Sequence, residues 1–147
     1  MADGIIISIL DAKAYPYLLI DTCVLIDEFK NWTGVFDHFW RRKLRVPLVA
    51  LWEFLHGEGA ALLDGSARLE RRNWLRKHGI EAIWFSKNAE PTFRRLAGLG
   101  GDLPEGPDII DCLIAAECLS RGVPVLTKNC KHFLAVPGVK VVSPGND

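Results

Sequence analysis

The sequence predicts an α/β fold: one domain on a central, mostly parallel sheet of about five strands, with helices on both faces. Two observations carry this. Short apolar runs of strand length alternate with longer stretches of helical periodicity, the order a parallel sheet requires. The runs are apolar at consecutive positions, as in strands buried on both faces. Length sets the frame: 147 residues, 49% hydrophobic and 24% charged, suffice for one core and are too few for two.

Residues 1–16 read as a leader ahead of the domain, which is placed at 17–147. The leader's Ile5-Ile-Ile-Ser-Ile-Leu10 run fits an added strand, a contact surface or a loosely held extension. Tyr17-Leu-Leu-Ile20 is the first strand. Asp21 and Thr22 end it, and either can cap the helix that follows over 23–30, with Val24, Leu25, Ile26 and Phe29 as its apolar positions. A second helix is expected over 35–42, with Phe36, Phe39 and Trp40 on one side. Residues 45–49 read as the second strand, where Pro47 calls for an edge or an early position.

Residues 50–63 read as helical, with Leu51, Phe54 and Leu55 at core spacing and Gly57 and Gly59 weakening the end. A charged helix follows over 66–78, with Ser66 as N-cap and Gly79 as stop. The third strand is 80–85, a helix occupies 89–99, and 100–106 is a turn-rich loop. Residues 108–120 are the clearest helix, ended by Arg121-Gly122. The fourth and fifth strands are 123–127 and 139–142.

Composition excludes several function classes. Lys plus Arg and Asp plus Glu number 18 each, so the net charge is zero and no general attraction for nucleic acid exists. A nuclease remains compatible, because an acidic cluster offsets basic patches elsewhere. Cys23, Cys112, Cys118 and Cys130 form no Cys-x-x-Cys pair, which argues against a zinc knuckle or disulfide framework. Reduced thiols in a cytoplasmic protein are the expectation. No apolar run approaches the roughly 20 residues of a membrane helix, and the amino end lacks the basic region of a signal peptide.

Ligands of open parallel sheets bind beyond the carboxyl ends of the strands. Polar residues there are Asp21 after the first strand, Glu53 after the second, Asp111 in the first turn of its helix, and Thr127 and Asn129 after the fourth. Three carboxylates brought together suit Mg²⁺ or Mn²⁺, which prefer carboxylate oxygen and water. Such an ion activates a bound water and offsets charge on a phosphodiester. Thr22 has no base partner, and no Ser-His-Asp or Cys-His pattern competes as nucleophile. Singly, each residue has a plainer reading. Asp21 is also a strand end and cap, Glu53 a solvated neighbour of Trp52, and Thr127 and Asn129 turn residues. Asp108 and Asp111 are also an N-cap and an acidic N3, and Asp108 is read as the cap rather than an extra acid of the site.

The joint pattern carries a resemblance. Tyr17-Leu-Leu-Ile-Asp-Thr-Cys-Val-Leu-Ile26 resembles the opening strand and helix of PIN domains. Pro47-Leu-Val-Ala-Leu-Trp-Glu-Phe-Leu-His-Gly57 is similar to their second motif, and Asp111-Cys-Leu-Ile-Ala-Ala116 to their third. Gly122, Leu126-Thr-Lys-Asn129, His132-Phe133 and Pro137-Gly-Val-Lys-Val-Val142 follow in the family's order. The likeness covers roughly residues 17–144, and within the family the chain looks like the VapC-type toxins of toxin–antitoxin pairs.

The resemblance implies a Mg²⁺- or Mn²⁺-dependent endoribonuclease, a homodimer, held inactive by a cognate antitoxin. It implies metal binding by Asp21, Glu53 and Asp111, with Asn129 at a fourth position that varies between Asp and Asn in the family. Thr22 and Thr127 would orient the carboxylates. Cys23 stands where Asn or Ser is usual, so one polar support is expected to be missing.

Arg68, Arg72 and Arg76 recur on one helix face, as an RNA-contacting stripe or as a solvated face. Trp32, Trp40, Trp52, Trp74 and Trp84 read mainly as core or interface anchors and otherwise as base-stacking surfaces. His132 is near a site residue in sequence and reads as a surface or packing residue, with a substrate contact as the alternative. The alternative functions are a PIN-like module that binds RNA or a partner without cutting, and an RNA-processing nuclease without an antitoxin. A small-molecule domain is disfavoured, because no Gly-rich phosphate loop follows the first strand.

Overall fold

The computed structural model describes residues 3–39, 43–57, 63–100 and 108–144. Six strands form one sheet: β1 (Ile5–Ile7), β2 (Leu18–Ile20), β3 (Leu44–Pro47), β4 (Glu81–Ile83), β5 (Val125–Leu126) and β6 (Lys140–Val142). Their order is β1-β6-β5-β2-β3-β4, and every neighbouring pair is parallel. The sheet is flanked by α1 (Ile9–Ala12), α2 (Thr22–Asn31), α3 (Leu48–His56), α4 (Gly65–Lys77), α5 (Glu90–Gly100), α6 (Ile109–Arg121) and α7 (Cys130–Leu134).

The centre of the sheet is the centre of the core. Leu18, Leu19 and Ile20 of β2 and Val125 and Leu126 of β5 are fully buried. Consecutive burial is what a strand covered on both faces requires, and it explains the unbroken apolar runs. Val24 and Leu25 of α2, Ala50 and Phe54 of α3, and Ile114 and Ala115 of α6 pack into the same core.

Several elements depart from the sequence reading. The sheet has a sixth strand, because the leader's Ile5–Ile7 pairs with β6 and covers its open edge. Ile5 and Ile6 stay exposed, as an edge position allows. Pro47 sits at the last position of an inner strand, neither early nor at an edge. It needs no ladder bond there, because it is already the N-cap of α3. That cap starts the helix two residues earlier than expected, and α3 runs to His56, where Gly57 turns away at φ 94°. The expected remainder, 58–62, lies outside the described residues.

The helix expected over 35–42 is a 3-10 turn, Val35–His38, closed by the extended Phe39; residues 40–42 lie outside the described set. Asp64, rather than Ser66, caps α4, accepting from the Ala67 N–H at 2.8 Å. The fourth strand shrinks to Val125–Leu126, and α7, which follows it, was not expected. A helix of so few residues shows too little periodicity to be read from sequence.

Candidate active site

The register of β2 on β5 builds the first half of the site. Ile20 lies opposite Leu126, so the next residues, Asp21 and Thr127, fall side by side at the carboxyl edge. The buried Thr127 hydroxyl donates to Asp21 Oδ2 at 2.7 Å. Asp21 also N-caps α2, its Oδ1 accepting from the Thr22 N–H at 2.8 Å. The Cys23 thiol donates a third, weaker bond to Oδ2 at 3.3 Å. Burial, then the Asp21 charge, push that thiol up to about 11, so it holds its proton at neutral pH and remains a donor. The polar support expected to be missing at Cys23 is therefore supplied by sulfur.

Glu53 comes from α3. It lies in the second turn rather than the first, because α3 begins at Leu48. The Thr22 hydroxyl donates to Glu53 Oε1 at 2.8 Å, tying the second carboxylate to the first residue of α2. Asp111 is the N3 residue of α6. Its N–H donates to Asp108 Oδ1 at 2.8 Å while the Asp108 N–H reaches Asp111 Oδ2 at 3.3 Å, a reciprocal capping box. Asp108 is thus the cap it was read to be. It also lines the site.

Asp21, Thr22, Cys23, Trp52, Glu53, Gly57, Asp108, Ile110, Asp111 and Asn129 surround a cleft of about 380 Å³. All three sequence-predicted carboxylates meet there, with Asn129 as the neutral fourth member. Thr127 lies behind, fully buried against Asp21. Burial first, then the charges of Asp108 and Asp21, push the Asp111 carboxyl up to about 6. Among the described residues, no three Asp, Glu, His or Cys side chains are grouped tightly enough to hold a metal ion directly.

Arg68, Arg72 and Arg76 lie on α4, and none lines the cleft. Arg68 donates to the Leu63 carbonyl at 2.6 Å, and Arg72 and Arg76 are exposed. Trp74 is the aromatic anchor expected of a tryptophan here, packed on Phe29, Phe36 and Phe54. Trp52 is no core anchor: it is 63% exposed, stacks on His56 at 3.9 Å and forms one wall of the cleft. His132 reaches the site residues, with its Nδ1 3.1 Å from Asp111 Oδ2. The sequence signal for His132 was its spacing of three from Asn129, which gains meaning only once α7 is known to be helical.

No family model matches the chain, and no curated protein matches it in sequence. Solved structures match it in fold. A chain of the DNA-bound VapBC structure from Salmonella typhimurium superposes with a TM-score of 0.69 at 20% identity, covering 88% of this chain and 99% of that one. A chain of VapBC2 from Rickettsia felis, bound to a promoter DNA fragment, gives 0.68 at 14% identity over 86% and 98%. A chain of a toxin–antitoxin complex from Klebsiella pneumoniae gives 0.63 at 20% identity over 88% and 99%. The architecture is the PIN-like fold that the sequence resemblance implied.

Proposed function

We propose that this chain is a Mg²⁺- or Mn²⁺-dependent endoribonuclease and the toxin of a toxin–antitoxin pair. The observation that carries the enzymatic reading is the convergence of Asp21, Glu53 and Asp111, from three separate elements, on one cleft at the carboxyl edge of a parallel sheet. Their donors suit such an ion, since all are oxygens and hard cations take oxygen. Burial first, then the Asp108 and Asp21 charges, push Asp111 up, and a cation beside it would favour its ionised form.

A divalent ion supplies an activated water and offsets charge on the scissile phosphate. The chain's own residues hold the geometry. Thr127, Cys23 and the Thr22 amide fix the Asp21 carboxylate, and the Thr22 hydroxyl fixes Glu53. Asn129, which lines the cleft, would bond water or phosphate without adding charge. Trp52 offers a flat apolar wall to the ribonucleotide beside the cleft.

Incubating the purified chain with a defined RNA and Mn²⁺ tests this. Cleavage is expected, abolished by EDTA and reduced on the order of 100-fold or more in Asp21→Asn and Glu53→Gln, since several kcal/mol of charge stabilisation pass through the ion. Full cleavage by folded Asp21→Asn sinks the mechanism, and cleavage undiminished by EDTA sinks the metal. One observation, the neutral Asn129 in place of a fourth acid, favours the second reading, a module that binds RNA or a partner without cutting. Binding without cleavage in the same assay selects it.

The toxin role is supported by the fold shared with chains of VapBC and other toxin–antitoxin complexes. It predicts a small DNA-binding protein encoded beside this chain that co-purifies with it and stops cleavage. A homodimer belongs to the same proposal, and light scattering of the purified chain tests it.

A further inference from the structure

We infer that His132 is a positioning residue for Asp111, fixing that carboxylate for the divalent ion; this rests on the metal reading above. Among the described residues, both side-chain hydrogen bonds of Asp111 fall on Oδ2. One comes from the Asp108 N–H at 3.3 Å, which is long, and one is with His132 Nδ1 at 3.1 Å. Among the described residues no hydrogen bond falls on Oδ1, in a side chain that lines the cleft. An ionised carboxylate only accepts, so the bond requires the His132 proton on Nδ1. The ring is aimed by its backbone. His132 lies on α7, whose next residue, Phe133, is fully buried in the core, while the residue preceding the helix is Asn129, whose N–H donates to Thr127 Oγ1 at 2.9 Å. The segment that places Asn129 and braces Asp21 through Thr127 therefore also braces Asp111.

Groups that orient metal-binding carboxylates change metal affinity by about 10- to 100-fold when removed. The test measures Mn²⁺ affinity of the full-length chain directly, by titration followed by electron paramagnetic resonance, with melting curves to check folding. His132→Ala is expected to weaken Mn²⁺ binding about 10-fold. His132→Asn, whose amide occupies the place of Nδ1, is expected to retain near-normal affinity. His132→Gln, whose amide falls where Nε2 was, is expected to behave like His132→Ala. A purely structural role would not separate Asn from Gln in this way. Normal Mn²⁺ affinity in folded His132→Ala or His132→Gln overturns this inference and leaves the metal reading intact. Wild-type chain that takes up no Mn²⁺ overturns the metal reading, and this inference with it.

Discussion

Asp111 shows how a single residue carries opposed demands. Its carboxyl is pushed from 3.8 to about 6, so the folded chain binds the proton more tightly than the unfolded chain does. The ionised form therefore costs stability above about pH 6, and the cost fades as pH falls toward about 4. In metal-free chain, Asp111→Asn is expected to raise stability at about pH 7.5 by roughly 1–3 kcal/mol, since a tenfold change in proton affinity is worth about 1.4 kcal/mol. The gain should disappear near pH 4. Paired melting curves in EDTA check it, and identical melting at the higher pH would show that burial and the neighbouring acids put no cost on the ionised Asp111. Asp21 and Asp111 were legible in the sequence because each marks a boundary, one the end of an apolar run and the other the first turn of a helix. The Cys23 thiol and His132 were not legible. Their contacts cross from one element to another, and no local pattern records where a side chain ends up.

At the level of elements, length decided what could be read. The long α6, from Ile109 to Arg121, was visible through its periodicity, and β2 through its unbroken apolar run. The short α7 and the leader strand β1 depend on partners distant in sequence. Gly4 shows how closely β1 is seated: its N–H donates to the Leu134 carbonyl at 2.9 Å. A Cβ there would stand 2.9 Å from the Val139 oxygen and 3.1 Å from both Leu134 Cα and the Phe133 oxygen, all backbone atoms that cannot swing aside. Gly4→Ala is therefore expected to destabilise the chain by about 1–3 kcal/mol, the usual cost of overpacking. Urea unfolding measures it, and a variant as stable as wild type would mean the leader is not held this tightly. Pro47 is the complementary case. The rule that keeps proline out of inner strands was satisfied by placing it at the junction of β3 with α3.

For the whole molecule, metal and fold should be linked. If the cleft takes Mn²⁺ only when folded, the ion at about 100 times its Kd adds about 2.7 kcal/mol of stability. That corresponds to a rise in Tm of about 5–10 °C for a domain of this size. EDTA should reverse the rise, and Asp21→Asn should lack it; a wild-type Tm indifferent to Mn²⁺ contradicts the linkage. The α/β class and the parallel sheet were legible because alternation of strand and helix survives at any loop length. The strand order was not, since it arises from pairings such as Ile5 with Lys140 that bring the two ends of the chain together. That order has a consequence for biosynthesis. The ribosome delivers Asp21 106 residues ahead of the threonine whose hydroxyl steadies it. A nascent chain that has emerged only through α6 carries every acid of the cleft and none of the β5 and α7 groups that brace them. The cleft is therefore completed by segments synthesised after all of its acids, and Asp21 and Asp111 stay without these braces until β5 and α7 are in place.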